Sequence, residues 1–479
     1  MFRAASACYN LSRPGIGQVT IDVLPDNVLL EIFHFHKNDV FLIIPRPVSV
    51  TWRWKTITQV CQRWRTIIFG SPRRLDLRLV CTNETPTRTS LGIWPPFPIV
   101  VLCNPPPWMD EKGLSNVIAA LEHSDRISEV YIFNINGPAL EKITAVMQKP
   151  FPILISFQLT SIDESVPVFP ETLSAGSAPR LRFFYLSGIP FSTSHKFVLS
   201  ISQVESLYLL NIPNSGYISP EIMVTFLAAL PNLKNLSIGF RSPPPRPIRT
   251  NQPPLTRVIF PALAALHFSG VSEYFEDIVA RIETPLLHML SVAFFMDLIF
   301  HIPRLHYFIG RTKSLGSHHQ ALMEFSSMET KIMFGSSFHL EVRCERLDWQ
   351  LSSISQIFGE QLPLLSHVEQ LELCENPALK RTTWKTDPDM DSPLWLELFR
   401  LFTSVQSLYI SETLVPPVAV ALHELSEGTI ELLPALQSLF LEGLQPAGPE
   451  QKSLQSFVDS RRLSGHPVII QNWERQPAV

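Results

Sequence analysis

One short apolar pattern constrains this chain more than any other feature: an apolar residue, a second three positions on, and a third two positions further, L-x-x-L-x-L. Clear copies stand at Ile127-Val130-Ile132, Leu181-Phe184-Leu186, Val204-Leu207-Leu209, Leu233-Leu236-Ile238, Leu263-Leu266-Phe268, Val368-Leu371-Leu373, Val405-Leu408-Ile410 and Leu436-Leu439-Leu441. Weaker copies at Leu154-Phe157-Leu159, Leu287-Leu290-Val292 and Leu305-Phe308 help fill the gaps, and 338–342 reads as a further strand. The starts at 181, 204, 233 and 263 are 23, 29 and 30 residues apart, those at 368, 405 and 436 are 37 and 31 apart, so the array is irregular. The last two apolar positions alternate as in a strand with one buried face, and a lone unit cannot cover that face. Neighbouring units must therefore stack.

Segments between copies, such as Pro220 to Leu230 and Phe275 to Ile282, carry helical periodicity. Prolines at Pro179, Pro231, Pro261, Pro303 and Pro434 stand just ahead of copies, where they would end a helix before a strand. The pattern resembles the leucine-rich repeat, although only the copy that reaches Asn376 carries that family's asparagine. This resemblance implies an α/β fold, an irregular solenoid over 73–449 with parallel strands on its concave face, followed by a tail or cap over 450–479.

Composition sets the outer limits. A chain of 479 residues exceeds what one compact core usually covers, and 45% hydrophobic against 17% charged residues excludes disorder. A net charge of −4 without a long basic block argues against nucleic acid as a partner. The cysteines, Cys8, Cys61, Cys81, Cys103, Cys344 and Cys374, form no C-x-x-C pair, so neither a zinc site nor a disulfide framework is expected. No apolar signal core is seen in 1–21, which reads as a flexible lead, and the apolar run Leu286 to Ile302 carries His288 and Asp297, too short and too polar to span a membrane. An intracellular protein, cytoplasmic or nuclear, is expected. The 42 prolines cluster at Pro95 to Pro107 and Pro243 to Pro254, which read as extended surface loops or, alternatively, as polyproline ligands.

Ahead of the repeats, Leu24-Pro25-Asp26-Asn27-Val28-Leu29-Leu30-Glu31-Ile32-Phe33 predicts a helix with proline in its first turn and an acid at its positive end. Val28, Leu29, Ile32 and Phe33 share one stripe. A second helix is predicted over Trp54 to Phe69, where Ile57, Val60, Cys61, Trp64, Ile67 and Ile68 repeat at helical spacing, stopped by Ser71-Pro72. Two short helices bury too little surface to be stable alone, so their apolar faces must meet the rest of the chain or a partner.

Leu24-Pro25, Val28-Leu29 and Ile32-Phe33, followed by Val60-Cys61-Gln62-Arg63-Trp64, resemble the F-box, and the run on to Leu77 is similar to F-box proteins of mushroom-forming fungi. The resemblance places an F-box over 22–72. It implies that Leu24, Pro25, Val28, Leu29, Ile32, Val60, Cys61 and Trp64 form adaptor-facing or core positions for a Skp-type protein, through which a cullin is reached. The link from Phe35 to Arg53 is longer than a compact F-box has.

In the repeat strands the fifth motif position points away from the core, and it is occupied by Tyr131, Tyr185, Tyr208, His267, Tyr409 and Phe440, with Phe183 and Tyr307 two residues into their copies. Tyrosine is enriched at binding hot spots, which suggests a target-binding face. Aromatic residues also pave strands through packing alone, so both readings stand. No catalytic residues are picked out: Gly15-Ile16-Gly17 lacks the rest of a dinucleotide fingerprint, and the histidine pairs His34/His36 and His318/His319 lack partners at metal spacing. No cofactor, metal or membrane contact is expected. The expectation is a non-catalytic substrate receptor of a Skp–cullin–F-box ubiquitin ligase; the alternative is a repeat scaffold whose leading helices only cap the array.

Overall fold

The structure, a computed structural model, describes residues 21–37, 57, 59–70, 77–94, 96–104, 110–163, 165–173, 178–243, 256–295, 299–316, 318–359, 365–376, 388–426, 432–443 and 449–474. Most of the expected N-terminal lead, of the link 35–53 and of the proline-rich stretch 243–254 lies outside these residues. The described part is mixed α/β, built on a single large, mostly parallel sheet of sixteen strands with helices in the connections, and a separate two-stranded piece pairs Val258–Ile259 with Ile282–Glu283.

The apolar motif explains how each strand is made. Its first residue closes a tight turn: the amide of Leu233 donates to the carbonyl of Leu230 at 3.2 Å, that of Leu263 to Phe260 at 3.4 Å and that of Leu436 to Leu433 at 3.0 Å. The next residue docks on its predecessor in the previous unit, Glu205 on Arg182, Lys234 on Glu205 and Ala264 on Lys234, each at 2.8 Å. Strands Phe183–Ser187, Ser206–Ile212, Asn235–Phe240 and Ala265–Gly270 then follow in parallel, their second and third motif residues buried. Asn134 and Asn211 take positive φ (53° and 49°) beside the register shifts at Ile132/Ile135 and Leu209/Ile212, a conformation asparagine tolerates better than most residues. One continuous apolar core follows the sheet from Leu79 to Val468.

Three sequence expectations need correction. Leu305 and Phe308 lie on helix Pro303–Arg311, since i, i+3 spacing also fits a helix, and Pro303 opens that helix where the lost N–H costs nothing. Tyr307 is consequently on a helix surface and not on the sheet. Within Pro95 to Pro107, the β-branched run Ile99–Cys103 is a buried strand, not a loop. The long second N-terminal helix is described only as Gln62–Gly70: Gln59 and Val60 form a turn, and the Cys61 carbonyl and Sγ accept from the amides of Arg65 and Trp64 at 3.1 and 3.4 Å, so a new helix begins after Cys61. The strand at 338–342 is present as Phe338–Arg343, but it is the last of three. Strands Gln320–Phe325, Glu329–Phe334 and Phe338–Arg343 form an antiparallel meander that fills the gap between the copies at 287 and 368. The stretch 450–479 contributes helix Pro449–Leu463 and the sixteenth strand, Ile469–Trp473, to the same sheet.

Candidate docking surfaces

The first surface is built from the two N-terminal helices, α1 (Asp26–Lys37) and α2 (Gln62–Gly70). They are tied by Arg63, whose guanidinium donates to the Leu24 carbonyl at 2.6 Å and to Asp26 Oδ1 at 2.7 Å, and by the Phe33 and Trp64 rings, centroids 4.8 Å apart. Ile68 and Leu77 pack with Phe33, Ile57, Trp94 and Phe97, which joins the pair to the first strand, Leu77–Val80.

This packing divides the expected adaptor residues. Leu29 is wholly buried, and Leu24, Cys61 and Trp64 are half-buried. Pro25, Val28, Ile32 and Val60 remain exposed, the last three at 37%, 40% and 58%, joined by Ile21, Val23 and Phe69. Among the described residues, the apolar stripe of α1 is thus only partly covered. Arg63, whose contacts fix the angle between the helices, carried no apolar signal and was not singled out by the sequence pattern.

The second surface is the sheet face opposite the helices. Strand pairing brings Tyr131, Tyr185, Tyr208, His267, Tyr409 and Phe440 into one unbroken cross-strand row, which runs from Val80 to Gln471 with one residue from each of the sixteen strands. Tyr185 and Tyr208 are centred 5.9 Å apart, and Phe183 lies 5.2 Å from Tyr208. Further along, Tyr409 stacks on Phe440 at 4.4 Å and meets the edge of Trp473 at 5.3 Å. Trp473 was not foreseen because its strand lacks leucine; the alternation Ile469, Gln471, Trp473 is the available signal. Two aromatic clusters therefore sit at separate places along the row, with His267 between them.

Electrostatics differ along the face. Burial pushes the tyrosine hydroxyls of Tyr185 and Tyr208 up, and Tyr131 is raised by burial and by Glu129, whose Oε2 accepts from its hydroxyl at 2.8 Å. His267 is lowered by burial and by neighbouring His339. In the meander, Lys331 reaches Glu329 at 2.6 Å and Glu341 at 3.7 Å, and Arg343 reaches Glu341 at 3.0 Å. Tyr307, on its helix, lies instead between the Arg257 and Arg311 guanidiniums, 5.4 and 5.5 Å from its ring centre.

Among the described residues there is no cluster of three His, Cys, Asp or Glu side chains able to hold a metal, and no helix is long and apolar enough to cross a membrane. Compared with known proteins, the chain matches no protein-family model and no curated protein.

Proposed function

We propose that the chain is the substrate-receptor subunit of a Skp–cullin–F-box ubiquitin ligase, with the N-terminal helices as its F-box and the sheet as a leucine-rich-repeat-like solenoid that presents a target. The observation that carries this reading is the exposure of Val28 and Ile32 on α1, and of Val60 in the turn before α2, beside a helix pair whose other side is already packed. Covering such side chains stabilises a complex by about 1.5–3 kcal/mol each when burial is complete. The recurring turn-and-strand geometry supports the solenoid, and no catalytic group is required of a subunit that only brings a target to the ligase.

The test is co-purification with a Skp-type adaptor and a cullin. Val28→Asp with Ile32→Asp is expected to weaken adaptor capture about tenfold or more while leaving the thermal midpoint almost unchanged, because exposed substitutions rarely destabilise. Full capture by the double variant removes the proposal. The contact of Ile68 with Leu77 favours a second reading, in which the helices cap the sheet of a non-ligase scaffold. Failure to bring down adaptor or cullin, together with a loss of stability when 1–70 is deleted, decides for the cap.

A further inference from the structure

Six strands that lie side by side in the sheet, Ser156–Ser161, Phe183–Ser187, Ser206–Ile212, Asn235–Phe240, Ala265–Gly270 and Met289–Phe295, contain no Asp, Glu, Lys or Arg. The next four strands across the sheet change character abruptly. They carry Glu341, Arg343, Glu329, Lys331, Glu324, Glu372 and Glu375. A charge-free floor of this extent is unusual on a face that meets solvent, where charged residues are normally abundant.

The outward positions of that floor mix short polar residues (Gln158, Thr160, Ser206, Asn235, Ser269, Ser291) with apolar and aromatic ones (Phe183, Leu210, Met289, Phe295) and His267, with Tyr185 and Tyr208 at the centre. Such a mixture suits adaptable protein recognition: rigid aromatic area at little entropic cost, and short polar groups that hydrogen-bond without a charge to desolvate. Ion pairs stand at its margin, where Glu205 joins Arg182 at 3.3 Å and Lys234 at 2.7 Å just ahead of their strands. Arg241, which reaches the Ser161 and Asp163 carbonyls, and Arg343, which lies over Phe295, also stand at its edges. A charged side chain laid on the middle of the floor would thus lose water and find no counter-ion on the six described strands. The lack of charge therefore selects against charged ligands as much as it welcomes neutral ones.

We propose that this floor holds an extended, uncharged segment of the target polypeptide, lying across the strands. Five strand spacings give a floor about 24 Å wide, the length of about seven residues of extended chain. A peptide fits better than a sugar, because the central rings are tilted against one another, Tyr185 by 32° and Phe183 by 34° to Tyr208, and form no coplanar stacking platform. The assignment rests on the receptor reading for calling the ligand a target, but the binding itself needs no adaptor.

Panning a displayed library of random twelve-residue peptides on the full-length chain alone tests it. Selected peptides are expected to share a run of about seven residues without Asp, Glu, Lys or Arg, to lose at least tenfold in affinity for Tyr185→Ala with Tyr208→Ala, and to change less than threefold between 50 and 500 mM salt. Tyr185→Phe with Tyr208→Phe keeps the rings and provides a variant for which partial binding is expected if the alanine pair proves unfolded by circular dichroism. Charged or strongly salt-dependent consensus peptides, undiminished binding by a folded Tyr185→Ala/Tyr208→Ala variant (or, if that pair is unfolded, undiminished binding by the Tyr185→Phe/Tyr208→Phe variant), or recovery of no peptide would each overturn it. Val28→Asp with Ile32→Asp should bind the same peptides as the unaltered chain, so a failed adaptor assay and a failed floor are told apart.

Discussion

Gln350 lies wholly inside the core, on helix Leu347–Phe358, and its Nε2 donates to the carbonyls of Ser326 and Cys344, both at 2.7 Å. These two carbonyls stand at the same end of the meander, just after its first and its last strand. Gln350→Leu preserves volume but strands both acceptors, so a loss of about 2–4 kcal/mol in unfolding free energy is expected from urea titration. At the same scale, His267 links the tyrosine row to pH. Burial and His339 hold its folded value below the ordinary one, so the neutral ring is the stabilising form. Its contribution is present above the unfolded value of about 6.5 and is lost as pH falls through the lowered folded value. His267→Gln should flatten the stability profile in that acidic window, with the folded titration read by NMR. Cys81 and Cys103, both pushed up to about 12 chiefly by burial, should resist alkylation at pH 8 in the native protein and react once it is unfolded.

Among the elements, helix Pro303–Arg311 shows how a connection is held without a local cap. Ile302 offers its N-terminus no side-chain acceptor, and the carboxylate of Glu276, from helix Ser272–Arg281, accepts from the amides of Arg304 at 3.0 Å and Leu305 at 2.7 Å. Glu276→Ala should cost about 1–2 kcal/mol, visible in the denaturant midpoint, and Glu276→Gln less. That arrangement is also a measure of what the residues declare in advance. The leucine triplets announce the parallel strands because two inward side chains and a turn suffice to define each one, and the row of tyrosines follows from their phase. Glu276 and Arg63 act on partners 28 and 37 residues away, a relation without periodicity. The strands Gln320–Phe325 and Glu329–Phe334 were missed for a related reason: their inward positions are Ala321, Met323, Phe325, Thr330, Ile332 and Phe334, so they carry no leucine triplet, although Gly335, at positive φ, marks the turn that follows them.

Across the whole molecule, the sheet is continuous but its chain order is not. Thirteen strands of the sheet follow sequence order, and only the meander is reversed: strand Phe338–Arg343 pairs beside Met289–Phe295, and Gln320–Phe325 pairs beside Gln370–Glu375. The connection after Met289–Phe295 must therefore skip two strand places, about 14 Å at three spacings, before the chain walks back and helix Leu347–Phe358 carries it forward again. The run of parallel neighbours is interrupted at this point, where residues 320–343 pair antiparallel among themselves between the two parallel flanks. The expected consequence is that the two flanks open as separate cooperative units on either side of this local meander. Native-state amide exchange should show two protection levels that change across 320–343, and Ile332→Ala, in the middle strand, should loosen the boundary before either side opens. A chain assembled this way can lengthen, shorten or re-pitch one flank over evolutionary time while the other keeps its register, because the seam between them is set by a clasp that neither flank supplies.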